Sequence, residues 1–193
     1  FADLQILRYQ VPGFDELAPK QKELLFYLYK AALSGRDIIW DQNYKYNLTI
    51  RHTLEAIIAD YAGSRQDREF AKFEEYTKRV WFSNGIHHHY MNNKFTPEFS
   101  FDSFSRYVRD VAGKGKLPLH NGQSVDQLLA LLKEVMFNPE VAAKKVVQAV
   151  GVDKVASSAV NFYEGVTEEE VVDFYKAKID KDDKRPVSWG LNS

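Results

Sequence analysis

Three consecutive imidazoles, His87-His88-His89, stand between an aromatic pair, Trp81-Phe82, and the phenol of Tyr90. Imidazoles ligate metals, exchange protons near neutral pH, and give or take hydrogen bonds. The first use fails on spacing. In an extended segment His87 and His89 point one way and His88 the other, so the three cannot converge on one ion. Zinc also needs three or four protein ligands, and its strong helical signature, HExxH, sets two histidines one turn apart. No HExxH occurs in the chain, and His52 is followed by Thr53-Leu54-Glu55, with neither the adjacent Glu nor the second His. No metal ligand is assigned.

Nucleophilic chemistry finds no better footing. There is no cysteine and no G-x-S-x-G elbow, and Gly113-Lys114-Gly115-Lys116 lacks the spacing of a phosphate loop. The carboxylate runs Glu74-Glu75 and Glu168-Glu169-Glu170 fall on helix faces or first turns and read as solvated charge. No catalytic residue is assigned. The sequon Asn47-Leu48-Thr49 matters only if the chain is glycosylated. Polar recognition by the histidine segment remains, against the simpler reading of His88 and His89 as loop histidines bonded to backbone. Trp81 and Phe82 are expected in the core, and Tyr90 at a surface or cleft.

The elements that must position this segment are helical. Pro19 suits the first turn of a helix carrying Leu24, Leu25, Leu28, Ala31 and Ala32, stopped by Ser34-Gly35. A second helical piece carries Ile38, Ile39 and Trp40. Ile50, Leu54, Ile57, Ile58 and Tyr61 then recur at helical spacing, with Thr49 as N-cap and Gly63 as stop. Residues 67–82 form the helix that leads into Asn84-Gly85, both tolerant of positive φ. Lys94-Phe95-Thr96-Pro97 closes the segment. Further helices are predicted over 101–112, from the Ser124/Gln127 capping box, from Asn138-Pro139 with Val146, Val147 and Val150, and from the Thr167/Glu170 capping box. The last buries Val171, Val172 and Tyr175 and ends in the solvated run 180–185. Residues 1–18 read as an extended arm with hydrophobic pairing by Leu4, Ile6 and Leu7, and 155–162 as the one other strand-like stretch. The fold class is mainly α: an irregular multi-helix domain with a short extended N-terminal arm, a single unit over 1–193.

Composition narrows the functions. A chain of 193 residues with 26 basic and 27 acidic side chains has no charge excess for nucleic acid or an anionic membrane surface. No apolar run is long enough for a membrane span. A share of 14% aromatic residues calls for bulky helix-to-helix contacts. The chain opens at Phe1 without a leader and stops in mid-pattern at Ser193, so it is expected to be a fragment of a longer protein.

Residues 80–90, Val-Trp-Phe-Ser-Asn-Gly-Ile-His-His-His-Tyr, followed by Lys94-Phe95-Thr96-Pro97, resemble the N-terminal region of the dipeptidyl peptidase III family of metallopeptidases, in its bacterial branch. Phe1-Ala2-Asp3 through Tyr9, Gly35-Arg36-Asp37, Val135-Met136-Phe137, Asn161 through Thr167 and Trp189 through Ser193 are similar in support. The resemblance implies a two-lobed zinc exopeptidase that releases dipeptides from peptide N-termini. Its HExxGH and second glutamate motif lie downstream, so neither falls in this chain, which would be part of one lobe and inactive alone. Zinc would belong to the full-length protein, and there would be no cofactor in this part. The partners implied are an oligopeptide substrate and the remaining catalytic lobe.

Tyr90 matches an aromatic near the family's substrate cleft, whereas His87-His88-His89 departs from the eukaryotic pattern. Asn84, Gly85, His88, His89 and Tyr90 are therefore the candidate substrate-binding residues. Family members favour the cytoplasm, and a removed leader would allow the periplasm or cell surface. The reading from another class is a stand-alone, non-catalytic helical module that binds a peptide or protein. A lobe should expose an apolar face near Ser193, and an autonomous module should not.

Overall fold

A computed structural model describes residues 1–179 and 182. Apart from Asp182, the charged run 180–185 and the segment 183–193, with the apolar face expected near Ser193, lie outside the described residues. The elements are α1 (Pro19–Ser34), α2 (Arg36–Asn43), α3 (Asn47–Asp60), α4 (Arg68–Ser83), α5 (Phe101–Ala112), α6 (Val125–Leu132), the short α7 (Lys154–Ser157) and α8 (Glu168–Lys178). A π-helical turn, Lys133–Phe137, extends α6. The domain is mainly helical. Among the described residues there is no strand, only two isolated antiparallel bridges, His87 with Lys94 and Asn93 with Lys144. No described helix is long and apolar enough to cross a membrane.

The helix boundaries follow from caps. The Asp67 carboxylate accepts from the Phe70 amide at 2.6 Å, Ser124 and Gln127 close a reciprocal capping box, and Thr167 and Glu170 close another. Each satisfies amides that the first helical turn leaves without partners. α3 starts two residues before the expected Thr49 cap and has no side-chain cap at all.

α3, α4, α5 and α6 enclose the core, with α2 against α3. Its centre is aromatic. Tyr61, Phe70, Phe73, Phe99, Phe104 and Tyr107 meet mainly edge-to-face or tilted, with ring centroids such as 4.8 Å for Tyr61–Tyr107. That geometry sets the positive ring edge on the negative face of its neighbour. Arg51 is buried with its guanidinium on Asp37 at 2.6 Å and Glu55 at 2.8 Å, and it stacks on Trp40, locking α2 to α3. By contrast, α1 buries no residue: Leu24, Leu25, Phe26, Tyr27, Leu28 and Tyr29 are all exposed.

Several segments depart from the expected pattern. Ile6 and Leu7 are exposed and make no hydrophobic pair in the arm. Residues 154–157 are helical where a strand-like stretch was expected. Asn138-Pro139 opens no helix. The Asn138 side chain accepts from the Glu140 amide in a tight turn, Ala142 takes φ +49°, and the backbone beyond is drawn into long-range pairing. Val150 ends fully exposed.

That rerouting has a definite cause. The Lys94 ammonium is buried and donates to the carbonyls of Val135, Asn138 and Val141. Val135 lies in the π turn, and Asn138 and Val141 follow within four residues of its end, with the Asn138 carbonyl also accepting the Val141 amide at 3.4 Å. Lys94 thereby fastens the segment after α4 to the segment after α6. Burial holds its pKa below the usual lysine value, opposed by Glu134 and Glu140. Lys94→Met keeps the stem but removes the donor shared by three carbonyls, of which, among the described residues, only that of Asn138 keeps a backbone amide, from Val141. It is expected to destabilise the chain by ~3 kcal/mol, read as a lower urea midpoint. An unchanged midpoint would show that the carbonyls find other donors.

Candidate functional site

The histidine segment is a small hairpin projecting from the C-terminus of α4. The Phe95 amide donates to the Ile86 carbonyl at 2.8 Å and the His88 amide to the Asn93 carbonyl at 2.8 Å, which sets residues 86–88 antiparallel to 93–95. His89, Tyr90, Met91 and Asn92 form the tip, closed by the Asn92 amide on the His88 carbonyl and by φ +64° at Asn92. The outer edge is paired as well. Lys94 donates to Ala143, and Lys145 donates to Asn92 at 2.8 Å. The hairpin is thus held on both sides.

Its entry is fixed by Asn47, which is fully buried. The Asn47 amide donates to the Trp40 carbonyl at 3.0 Å and accepts from the Ile86 amide at 3.2 Å, so one side chain joins α2, α3 and the hairpin. Asn43 reinforces the corner by donating to the Asn84 carbonyl at 3.0 Å. Asn84 caps α4 in the left-handed region at φ +52°, and Gly85 follows at φ +147°. Gly85 is buried, and a Cβ there would stand 2.3 Å from Asn47 Nδ2. Burial also removes Asn47 from glycan chemistry in the folded chain.

The three histidines occupy three environments. His87 is buried, and its Nε2 donates to the Ala142 carbonyl at 2.7 Å, while its Nδ1 has no partner. Burial pushes its pKa down to about 4, so the ring is neutral at pH 7. His88 is half-buried, with its Nδ1 accepting the Tyr90 and Met91 amides at 3.1 Å each. This is the backbone-bonded loop histidine. His89 stacks on His88 with ring centroids 4.4 Å apart and meets the edge of Phe82 at 4.9 Å. Its pKa is lowered first by burial, then by His88 and Lys145. Tyr90 is 83% exposed.

Of the residues singled out, His88, His89 and Tyr90 come together on the tip, whereas Asn84 and Gly85 lie at its root. Gly85 faces the Asn47 amide, which leaves no room for a Cβ there. Trp81 and Phe82, expected in the core, are at the surface. α4 turns Phe73, Tyr76, Thr77 and Val80 inward instead, at i, i+3, i+4 and i+7, and leaves Trp81 and Phe82 off that stripe. Phe82 still has work there, as the wall against which His89 rests.

A polar groove of about 370 Å³ runs beside the hairpin, lined by Glu75, Tyr76 and Arg79 of α4 and by Asn93, Phe95 and Thr96. Arg79 carries Glu75 at 3.1 Å on one side and Asp3 at 2.7 Å on the other, which brings the N-terminal arm to the rim. Asp3 opposes the effect of burial on His89, raising its pKa where burial lowers it. Among the described residues no group of three or more His, Cys, Asp or Glu side chains is arranged to hold a metal ion. The site gathers backbone-bonded imidazole, stacked rings and an exposed phenol.

Asn47 and Lys94 were missed as site residues. Asn47 did leave a signal, as a polar side chain at i−3 and i−7 to Ile50 and Leu54 on the apolar face of α3. Lys94 left none, because its acceptors lie 41 to 47 residues away.

No protein-family model matches the chain, and a search of curated proteins found no significant match.

Gly85→Ala is expected to cost ~2–4 kcal/mol, since it adds backbone strain and displaces a buried amide. The check is the denaturation midpoint, and a wild-type value would mean that Asn47 yields freely. His87 gives a pH signature. Its folded pKa of about 4 lies below the ordinary 6.5, so the unfolded chain takes up the proton first as pH falls. The resulting stability is complete above pH 6.5 and is lost progressively down to about pH 4, by ~3 kcal/mol in all. His87→Gln, which keeps a donor for Ala142 and does not titrate, is expected to flatten that limb of the stability profile.

Proposed function

We propose that the chain is the non-catalytic N-terminal part of a zinc-dependent exopeptidase of the dipeptidyl peptidase III class, with the 86–95 hairpin lining one wall of its peptide cleft. The observation that carries this reading is the hairpin itself. It is anchored at its root by Asn47 and at its exit by Lys94, while its tip presents Tyr90 outward beside the half-buried rings of His88 and His89. A pre-ordered tip loses little entropy on binding, and aromatic and imidazole rings combine contact area with hydrogen bonding. The similarity of residues 80–97 to that family supplies the substrate class, an oligopeptide.

The exposed α1 supports membership of a larger assembly. A helix apolar on all its sides is ordinarily enclosed, and six consecutive apolar residues, Leu24 to Tyr29, are open to solvent. In the proposed whole, another part of the protein covers them. Zinc, held elsewhere in that protein, would polarise the scissile carbonyl and activate water. The residues of this chain bind and orient the peptide. A free-standing helical module would use the same tip on a partner and would release no dipeptides.

The test belongs to the parent protein. It is expected to carry a downstream HExxGH, to contain zinc and to release dipeptides from oligopeptide N-termini. Tyr90→Ala should raise KM for an oligopeptide about tenfold, leaving zinc content unchanged. A parent without that motif, or an unchanged KM, would remove the peptidase reading or Tyr90's place in it.

A further inference from the structure

His88, His89 and Tyr90 are not equivalent. His88 uses nearly all of its polar atoms within the turn: its amide donates to Asn93, its carbonyl accepts from Asn92, and its Nδ1 accepts from Tyr90 and Met91. Backbone amides are donors only, so two of them converging on Nδ1 require that nitrogen to be without a proton. In the neutral ring the proton must then sit on Nε2. That atom has no partner among the described residues, and unlike Nδ1 of His87 and of His89 it is not sealed in.

We infer that His88 is both the positioning residue of the tip and its fixed hydrogen-bond donor, so that this face selects a ligand bearing a hydrogen-bond acceptor, such as a backbone carbonyl of an extended peptide. The choice of a peptide rests on the function proposed above. The tautomer and the turn do not. Packing keeps the ring in place: His89 stacks on one face within 17° of parallel, and Phe95 meets it with ring centroids 5.9 Å apart. Tyr90 owes its position to the same ring, because its amide and the next one are held by Nδ1. Removing the imidazole should release the phenol, although the two side chains differ by only two positions in sequence.

Two substitutions separate these roles. The side-chain oxygen of His88→Asn can accept the same amides as Nδ1, while its NH2 takes the place of the ring's Cδ2 and stops short of the Nε2–H position; His88→Ala removes acceptor and donor alike. The experiment uses the 193-residue chain with labelled histidine, nitrogen and proton NMR, amide exchange at Tyr90 and Met91, and titration with tetra-alanine as the probe.

His88 is expected to show a bare Nδ1 and a protonated Nε2. Exchange at the two amides should rise about fivefold or more in His88→Ala and stay near wild type in His88→Asn. Tetra-alanine should move the His88 Nε2–H resonance and bind about fivefold more weakly to both variants. A proton on Nδ1, or His88→Asn exchanging as fast as His88→Ala, overturns the inference. So does undiminished probe binding by His88→Asn. If the tautomer and exchange results are as expected but tetra-alanine moves no wild-type resonance, His88 keeps its role and the peptide reading is what fails.

Discussion

A single buried ammonium joins the two halves of this domain. Lys94 gives its protons to carbonyls in and just past the helical turn that extends α6. A buried lysine is costly unless its protons are matched, and here three acceptors match them. In return the exit of the hairpin is fixed against residues 135–145. The bonds of His87 to Ala142, Lys94 to Ala143 and Lys145 to Asn92 run along the same junction. The π turn and the irregular segment after it follow from the same contact.

The hairpin root depends on a second buried polar group of opposite character. Asn47 is neutral, satisfies one acceptor and one donor, and admits no atom at the Gly85 α-carbon. Together the amide and the ammonium hold a short antiparallel pair in place without a sheet. The tip then needs only local contacts, which the His88 ring supplies. Rigid anchoring below thereby fixes where the rings of the tip stand.

The uncovered side of the molecule is equally informative. The core of α3, α4, α5 and α6 is closed by aromatic contacts, whereas α1 and the arm before it lie outside it. Residues as apolar as Leu24, Leu25 and Phe26 lower their free energy by leaving water, at about 25 cal/mol per Å² of area removed. Left exposed, they forgo that gain in this structure. The Asp3–Arg79 pair is the arm's ion-pair link to the site.

Much of the helical framework was legible residue by residue. Asp67, Ser124 and Thr167 announce helix starts through short-range bonds, and Pro19 and Asn84 mark a start and an end by backbone preference alone. Such signals act over three or four residues, so sequence contains them whole. Tyr90 was placed at the surface for a similar reason, as a ring beyond a helix stop. Tertiary structure decided the rest. Asn138-Pro139 has the form of a helix start, yet long-range hydrogen bonds to Asn92 and Lys94 outweigh that local preference and leave the segment extended. Trp81 and Phe82 are apolar enough for a core, but the rotation of α4 set by Phe73, Tyr76 and Val80 turns them out. Which histidine is buried, which caps a turn and which stacks is likewise settled by Ala142, Tyr90 and Phe82. Three identical neighbours in sequence become three different groups because the partners of each are fixed by packing across the fold.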